Sequence, residues 1–205
     1  MRFFESSLSS DWSEAFPTST LWALAVWALG IALFSVALLP ENLQAQVPQN
    51  VIAECNACDA QDVHAVDVDG DGDKDILSAS EYDNKIAWYE NTDGNGSFSG
   101  QQVITTSAAG AQSVYAADLD NDGDIDVLSA SRGDNKIAWH ENTDGNGSFS
   151  GQQVITTSAA GAQSVYAADL DNDGDIDVLS ASTALYDDKI AWYENTDGNG
   201  SFSGQ

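Results

Sequence analysis

The sequence predicts an all-β fold in which three four-stranded units stand side by side after one N-terminal apolar helix. Three observations predict it. A long segment recurs three times. Each recurrence holds four short apolar or alternating runs of the kind that form half-buried strands. Turn residues separate these runs, and helical spacing is absent. The 205 residues include 6 basic and 33 acidic ones, for a net charge of -27. That charge repels nucleic-acid phosphates and anionic lipid, so nucleic acid is excluded as a partner and only the N-terminal segment can meet a membrane. Cations are the natural partners. A hydrophobic content of 42% with 6 Trp, 6 Tyr and 7 Phe argues for a buried core and against an acidic disordered chain.

The first element is the apolar run Leu21 to Leu39, which contains no charged residue. As a helix it would be about 28 Å long, close to the thickness of a bilayer core. Pro40 ends the run, and Leu43-Gln44-Ala45 sets a small residue before Gln46, as a signal-peptidase site requires. Residues 1–46 are therefore expected to be a signal peptide or an uncleaved membrane anchor, and the protein to be exported, secreted or cell-surface. The anchor reading stays open because the run is long for a signal and only Arg2 stands before it against Glu5, Asp11 and Glu14. Cys55 and Cys58 follow as a lone C-x-x-C. Outside the cell a local disulfide is the expected state, with a reduced pair or a metal or redox role as alternatives.

The repeats fill residues 47–205. Gln102 to Ser131 recurs unchanged as Gln153 to Ser182, a shift of 51, and Val51 to Ser80 is a diverged copy. The units are about 51–101, 102–152 and 153–205. Between Thr183 and Asp188 the third unit has two residues more than the second has at Arg132-Gly133-Asp134-Asn135, which marks a surface loop. In the second unit the expected strands are Ser113–Ala117, Asp126–Ala130, Lys136–His140 and a run from Ser148-Phe149 through Val154-Ile155. Asn142-Thr143-Asp144-Gly145-Asn146-Gly147 supplies Asp-Gly and Asn-Gly hairpin signals. A four-stranded unit of this length suits a blade of a β-propeller, here partial or incomplete, in which each unit buries its face only against a neighbour.

Each unit carries one acidic turn at the same phase. The first is Asp67-Val68-Asp69-Gly70-Asp71-Gly72-Asp73-Lys74-Asp75, the second Asp118-Leu119-Asp120-Asn121-Asp122-Gly123-Asp124-Ile125-Asp126, and the third Asp169-Leu170-Asp171-Asn172-Asp173-Gly174-Asp175-Ile176-Asp177. Two carboxylates ~4 Å apart repel by about 4 kcal/mol at an effective dielectric near 20, so a cation is expected inside each turn. Side chains at loop positions 1, 3, 5 and 9 with the carbonyl of position 7 give an all-oxygen shell, and glycine at position 6 permits the sharp turn. Hard oxygen donors without His or Cys favour Ca²⁺, about one per repeat, over transition metals and over Mg²⁺. An EF-hand is excluded by Ser78, Ser129 and Ser180 at position 12 and by the strands on both sides.

With these residues in view, D-x-D-x-D-G-x-x-D before an apolar strand, then K-I-A-W-Y-E-N and D-G-N-G-S-F, resembles the FG-GAP/VCBS repeats of bacterial exported proteins. Those repeats are similar to the calcium-loop blades of integrin α-chain propellers. The resemblance covers residues 51–205 and implies one blade per unit. It implies side-chain ligands Asp67, Asp69, Asp71 and Asp75, then Asp118, Asp120, Asp122 and Asp126, then Asp169, Asp171, Asp173 and Asp177. Backbone carbonyls would come from Asp73, Asp124 and Asp175. Propellers of this kind close with about six to eight blades, and three would leave edges and apolar faces exposed, so self-association to complete the array is one expectation.

No nucleophile elbow, phosphate loop or cysteine–histidine pairing is present in the sequence, and no enzyme activity is expected. His64 and His140 fill strand slots held by tyrosine in other copies, and Trp88, Trp139 and Trp192 are expected in the core between blades, with exposed faces for stacking on sugars as the alternative. The expected function is an exported, non-catalytic binding or adhesion module that contacts an extracellular protein or glycan. The alternatives are a non-catalytic propeller portion of a larger exported enzyme, such as one acting on polysaccharide, and a truncated fragment without independent function.

Overall fold

The computed structural model describes residues 49–54, 59–184 and 188–204. The apolar segment, the cleavage site, and Cys55 and Cys58 lie outside the described residues, as does part of the two-residue insertion. The first sheet contains β1 (Ala60–Val66), β2 (Asp75–Ser80), β3 (Lys85–Tyr89) and β4 (Gln102–Thr105). The second contains β5 (Ala111–Ala117), β6 (Asp126–Ser131), β7 (Lys136–His140) and β8 (Gln153–Thr156). The third contains β9 (Ala162–Ala168), β10 (Asp177–Ser182) and β11 (Lys189–Tyr193). All pairings are antiparallel between strands consecutive in sequence, and among the described residues there is no helix.

The sheets stand one strand out of phase with the sequence repeat. Gln102–Thr105 opens the second sequence unit, yet it pairs with β3 and completes the first sheet. The fourth strand is also shorter than its apolar run suggests. It starts at Gln102 and Gln153, whereas Phe98 and Phe149 make only isolated bridges to Asn91 and Asn142. Ser99-Gly100 and Ser150-Gly151 break the run between the two parts, because Ser and Gly bend readily and add no packing surface. Among the described residues the third sheet has three strands, in the order β11-β10-β9.

The core lies between successive sheets. One cluster joins Leu77, Ile86 and Trp88 of the first sheet to Val114, Ala116 and Val127 of the second. Another joins Leu128, Ile137 and Trp139 of the second to Val165, Ala167 and Val178 of the third. Two-sided burial explains why Asp75–Ser80 and Asp126–Ser131 read as nearly continuous apolar and small residues and do not alternate cleanly. Trp88 and Trp139 fill these inter-sheet cores as expected, while Trp192 is half exposed.

The first strands β1, β5 and β9 lie side by side. Their His64, Tyr115 and Tyr166 rings form a row with centroids 4.6 and 4.5 Å apart. The Asp62 carboxylate accepts from Ser113 Oγ at 2.9 Å and from Val114 N at 3.1 Å, and Ser113 Oγ accepts from Val165 N at 3.4 Å. Polar bonds thus pin the same strand position at both junctions.

Candidate metal centre

Each acidic turn connects the first and second strands of its sheet, so strand pairing holds both of its ends. Positions 4 and 6 take left-handed backbone. Gly70, Asn121 and Asn172 have φ of 73, 59 and 64°, and Gly72, Gly123 and Gly174 have φ of 96, 97 and 102°. Asn tolerates the first conformation, and glycine alone suits the second. The chain folds back on its own carboxylates. Gly72 N donates to Asp67 Oδ2 at 3.0 Å, Asp71 N to Asp69 Oδ1 at 3.3 Å, and Asp73 N to Asp71 Oδ1 at 2.8 Å. The second turn repeats these contacts at Gly123, Asp122 and Asp124.

Position 9 is fully buried in all three sheets, as Asp75, Asp126 and Asp177. Asp75 accepts from Val68 N at 2.9 Å and from Asn91 N at 2.8 Å. Asp126 accepts in the same way from Leu119 and Asn142, and Asp177 from Leu170 and Asn195. These carboxylates therefore clamp the turn to the hairpin that follows the third strand, a task that spacing alone does not reveal. Burial pushes the Asp126 carboxyl up to about 7, against the pull of its two backbone donors.

Carboxylate oxygens of Asp67, Asp69 and Asp71 lie within 4.8 Å of one another, and so do those of Asp118, Asp120 and Asp122. In the third turn the grouped residues are Asp169, Asp171 and Asp177. Asp69, Asp120 and Asp171 are each held above the ordinary carboxylate range, first by burial and then by neighbouring aspartates. The Oδ1 atoms of Asp67 and Asp118 are buried and have no hydrogen-bond partner. A buried anionic acceptor without a donor is costly, and a cation placed among these oxygens removes that cost. The donor set is entirely oxygen, as a hard cation requires, so the residues fit Ca²⁺.

The third turn differs from its near-identical copies. Asn172 N donates to Asp169 Oδ1 at 2.7 Å, so the atom left bare in the other two turns is satisfied. The three turns also differ in what the neighbouring sheet offers them. Asn142 of the second unit donates Nδ2–H to the Val68 carbonyl at 2.9 Å, and Asn195 of the third donates to the Leu119 carbonyl at 2.8 Å. Each hairpin thus caps the turn of the preceding sheet. Asn121 adds a reverse link, from its Nδ2 to Asp175 Oδ1 and to the Gly198 carbonyl, both at 3.0 Å. Leu170 receives no such cap among the described residues and is exposed. The sequence reading missed Asn91, Asn142 and Asn195; their recurrence within E-N-T-D-G-N-G was the available signal.

The structure brings position 1 and 3 aspartates together in every turn, position 5 in the first two and position 9 in the third. Asp73 and Asp124 contribute backbone N–H to the turn, and Asp175 faces Asn121. The two histidines sit on different sheets. His64 belongs to the ring row, while His140 is buried near the Ser150 carbonyl, and burial lowers the pKa of both.

A family described as FG-GAP-like repeat matches residues 67–129 and 118–180. Each match runs from one acidic turn into the next unit, so it includes a junction between sheets. No curated protein matches. Among solved structures, one from Agrocybe aegerita, titled for specific recognition of non-reducing terminal N-acetylglucosamine by a lectin, is 20% identical with a TM-score of 0.50. The similarity covers 70% of this chain and 36% of that one, and it is a similarity of fold.

Proposed function

The chain belongs to the FG-GAP-like repeat family, and from that premise we propose that it is an exported, non-catalytic binding module whose acidic turns hold Ca²⁺. One observation carries the calcium reading: the bare, buried Oδ1 atoms of Asp67 and Asp118 inside all-oxygen clusters. In each unit the residues that would hold the ion are those at positions 1, 3, 5 and 9, with the carbonyl of Asp73, Asp124 or Asp175. Calcium would supply positive charge at the place where burial and neighbouring carboxylates disfavour the ionised acid. Fixing the turn also fixes the carbonyls of Val68 and Leu119, on which the next hairpin docks, so ion binding and blade stacking are coupled. The recognised partner is an extracellular protein or glycan, and the fold shared with a lectin structure supports the glycan arm.

Calorimetric titration of the chain with Ca²⁺ tests this reading. About one ion per repeat is expected, with the third site weaker because its turn bonds to itself. Replacing Asp118 and Asp120 together by Ala should remove about one ion in three, and a chelator should lower the melting temperature, because a ligand bound only by the folded state stabilises it. No saturable binding, or an unchanged stoichiometry in the double variant, would sink the proposal. A glycan array probed with and without chelator then separates sugar from protein partners.

A further inference from the structure

The acidic turns differ at position 4, which holds Gly70 in the first and Asn121 in the second. Both residues take left-handed backbone, with φ of 73 and 59°. Only the asparagine has an amide to extend. Its Nδ2 carries two N–H donors and reaches Asp175 Oδ1 and the Gly198 carbonyl, each at 3.0 Å. Asp175 is position 7 of the third turn. Its own N donates to Asp173 Oδ1 at 2.9 Å, and its carbonyl is the one that would face an ion there. Gly198 lies against the Asp175 carboxylate, and a Cβ on it would collide with Asp175 Oδ1 and stand 2.8 Å from Asn121 Nδ2. The amide of the second turn is therefore packed between two parts of the third unit, its acidic turn and its hairpin.

At the first junction the same acceptors are present without the donor. Gly145 lies against Asp124 as Gly198 lies against Asp175, and a Cβ on Gly145 would collide with Asp124 Oδ1. Gly70 faces them with backbone alone, and a Cβ added to it would meet only the Gly145 carbonyl, at 3.8 Å. The asparagine caps, in contrast, occur at both junctions. Asn142 caps Val68 while its N donates to Asp126, and Asn195 caps Leu119 while its N donates to Asp177. Among the described residues, the Asn121 amide is the side-chain bond between acidic turns that the second junction has and the first lacks.

We propose that the second and third acidic turns bind Ca²⁺ as a coupled pair, with Asn121 as the positioning residue between them, and that the first and second turns lack this link. The inference rests on the calcium reading given above. Once Asp118, Asp120 and Asp122 converge on an ion, the backbone of Asn121, which stands between two of them, is fixed, and with it the aim of the amide. The amide then holds Asp175 and Gly198 where the third turn needs its position 7 carbonyl. In the third turn Asp169 Oδ1 must leave Asn172 N to become a ligand, and that turn is already anchored at its other end. Less ordering remains, so the third site is tighter when the second is filled. Linkage makes the effect reciprocal. The bond to Asp175 is charge-assisted, which strengthens it, while Asn121 is exposed and water competes for its amide. Coupling at the lower end of the usual range follows, about 5-fold in affinity.

The test is a site-resolved Ca²⁺ titration of the full chain, followed by the NMR amide signals of Gly72, Gly123 and Gly174, one in each turn. Asn121→Gly leaves a backbone that the first turn already adopts with glycine. It should lower the Ca²⁺ affinity of the third turn by about 5-fold, although residue 121 lies outside both ligand sets. With the second site disabled by Asp118→Ala and Asp120→Ala, the same substitution should change third-turn affinity by less than about 2-fold. Gly70→Asn should do the converse and raise the affinity of the second turn, by giving Asp124 and the Gly145 carbonyl the donor they lack. A loss at the third turn that persists in full with the second site disabled overturns the proposal, because Asn121 is then a static prop. Unchanged third-turn affinity in Asn121→Gly overturns it too and leaves the calcium reading standing. Absence of saturable Ca²⁺ binding at all three turns overturns both together.

Discussion

Asn142 is the side chain on which the coupling between sheets rests most directly, and its removal has a calculable cost. It is fully buried, donates to the Val68 carbonyl at 2.9 Å and accepts from Gly147 N at 3.1 Å. In Asn142→Ala both backbone groups lose their partner. A buried polar group left unsatisfied costs roughly 1–3 kcal/mol, and Val68 is itself buried while Gly147 is partly reached by water. The expected loss is about 3 kcal/mol, or about 6–12 °C in melting temperature for a domain of this size. Asn91 is the control: its Oδ1 accepts from Gly96 N at 3.1 Å, and its Nδ2 reaches only the carbonyl of Lys74 in its own sheet, at 3.2 Å, Gly96 and Lys74 both being exposed. Asn91→Ala should cost about 1 kcal/mol, since water can replace both bonds. Both variants are compared by thermal unfolding followed by near-ultraviolet circular dichroism in saturating Ca²⁺. Equal losses in the two variants would refute the inter-sheet role of Asn142. Restoration of the Asn142→Ala loss by Gln would refute it equally, because the longer side chain cannot keep both bonds.

Other expectations follow from the same geometry. Gly147 has φ of 81°, and a Cβ there would meet Trp88 Cζ2 at 2.4 Å, so Gly147→Ala should destabilise by about 2–5 kcal/mol in urea titration. Gly151→Ala meets nothing within 4 Å and should change stability by less than about 0.5 kcal/mol. In chelator, stability should fall as pH rises from about 4 towards 7. The reason is that unfolded Asp126 sheds its proton near 3.8 and folded Asp126 near 7, so the folded state holds the extra proton between those values. In saturating Ca²⁺ that slope should reverse, because the ion competes with protons for the same carboxylates; unfolding midpoints at three pH values in both buffers would check the sign. A chelated protein whose stability rises across that window would contradict the buried state of Asp126.

Much of this arrangement was legible in the chain. Repetition, exact between the second and third units and diverged in the first, set the number of units, and the short apolar runs between glycine and asparagine turns located the first three strands of each sheet within a residue or two. The Asp-x-Asp-x-Asp-Gly spacing located the acidic turns because that chemistry is local: side chains two positions apart in a tight turn converge wherever the turn is placed. The strand at Gln102–Thr105 was legible as a strand, but its sheet was not. A repeat read along the chain has no natural starting point, and the phase is set by which neighbour completes the hydrogen bonds of β3.

Tertiary structure decided what depends on the sheet next door. Identical loop residues in the second and third units behave differently, with Asp118 Oδ1 left bare and Asp169 Oδ1 bonded to Asn172 N, and Asn195 caps Leu119 whereas no described residue caps Leu170. Identical Ile and Trp residues are core on β7, which the third sheet covers, and surface on β11. Local sequence sets the shape of one blade, since its bonds lie within a few dozen residues. Burial, pKa and the caps on the turns are properties of the stack, because each blade can desolvate its faces only against another.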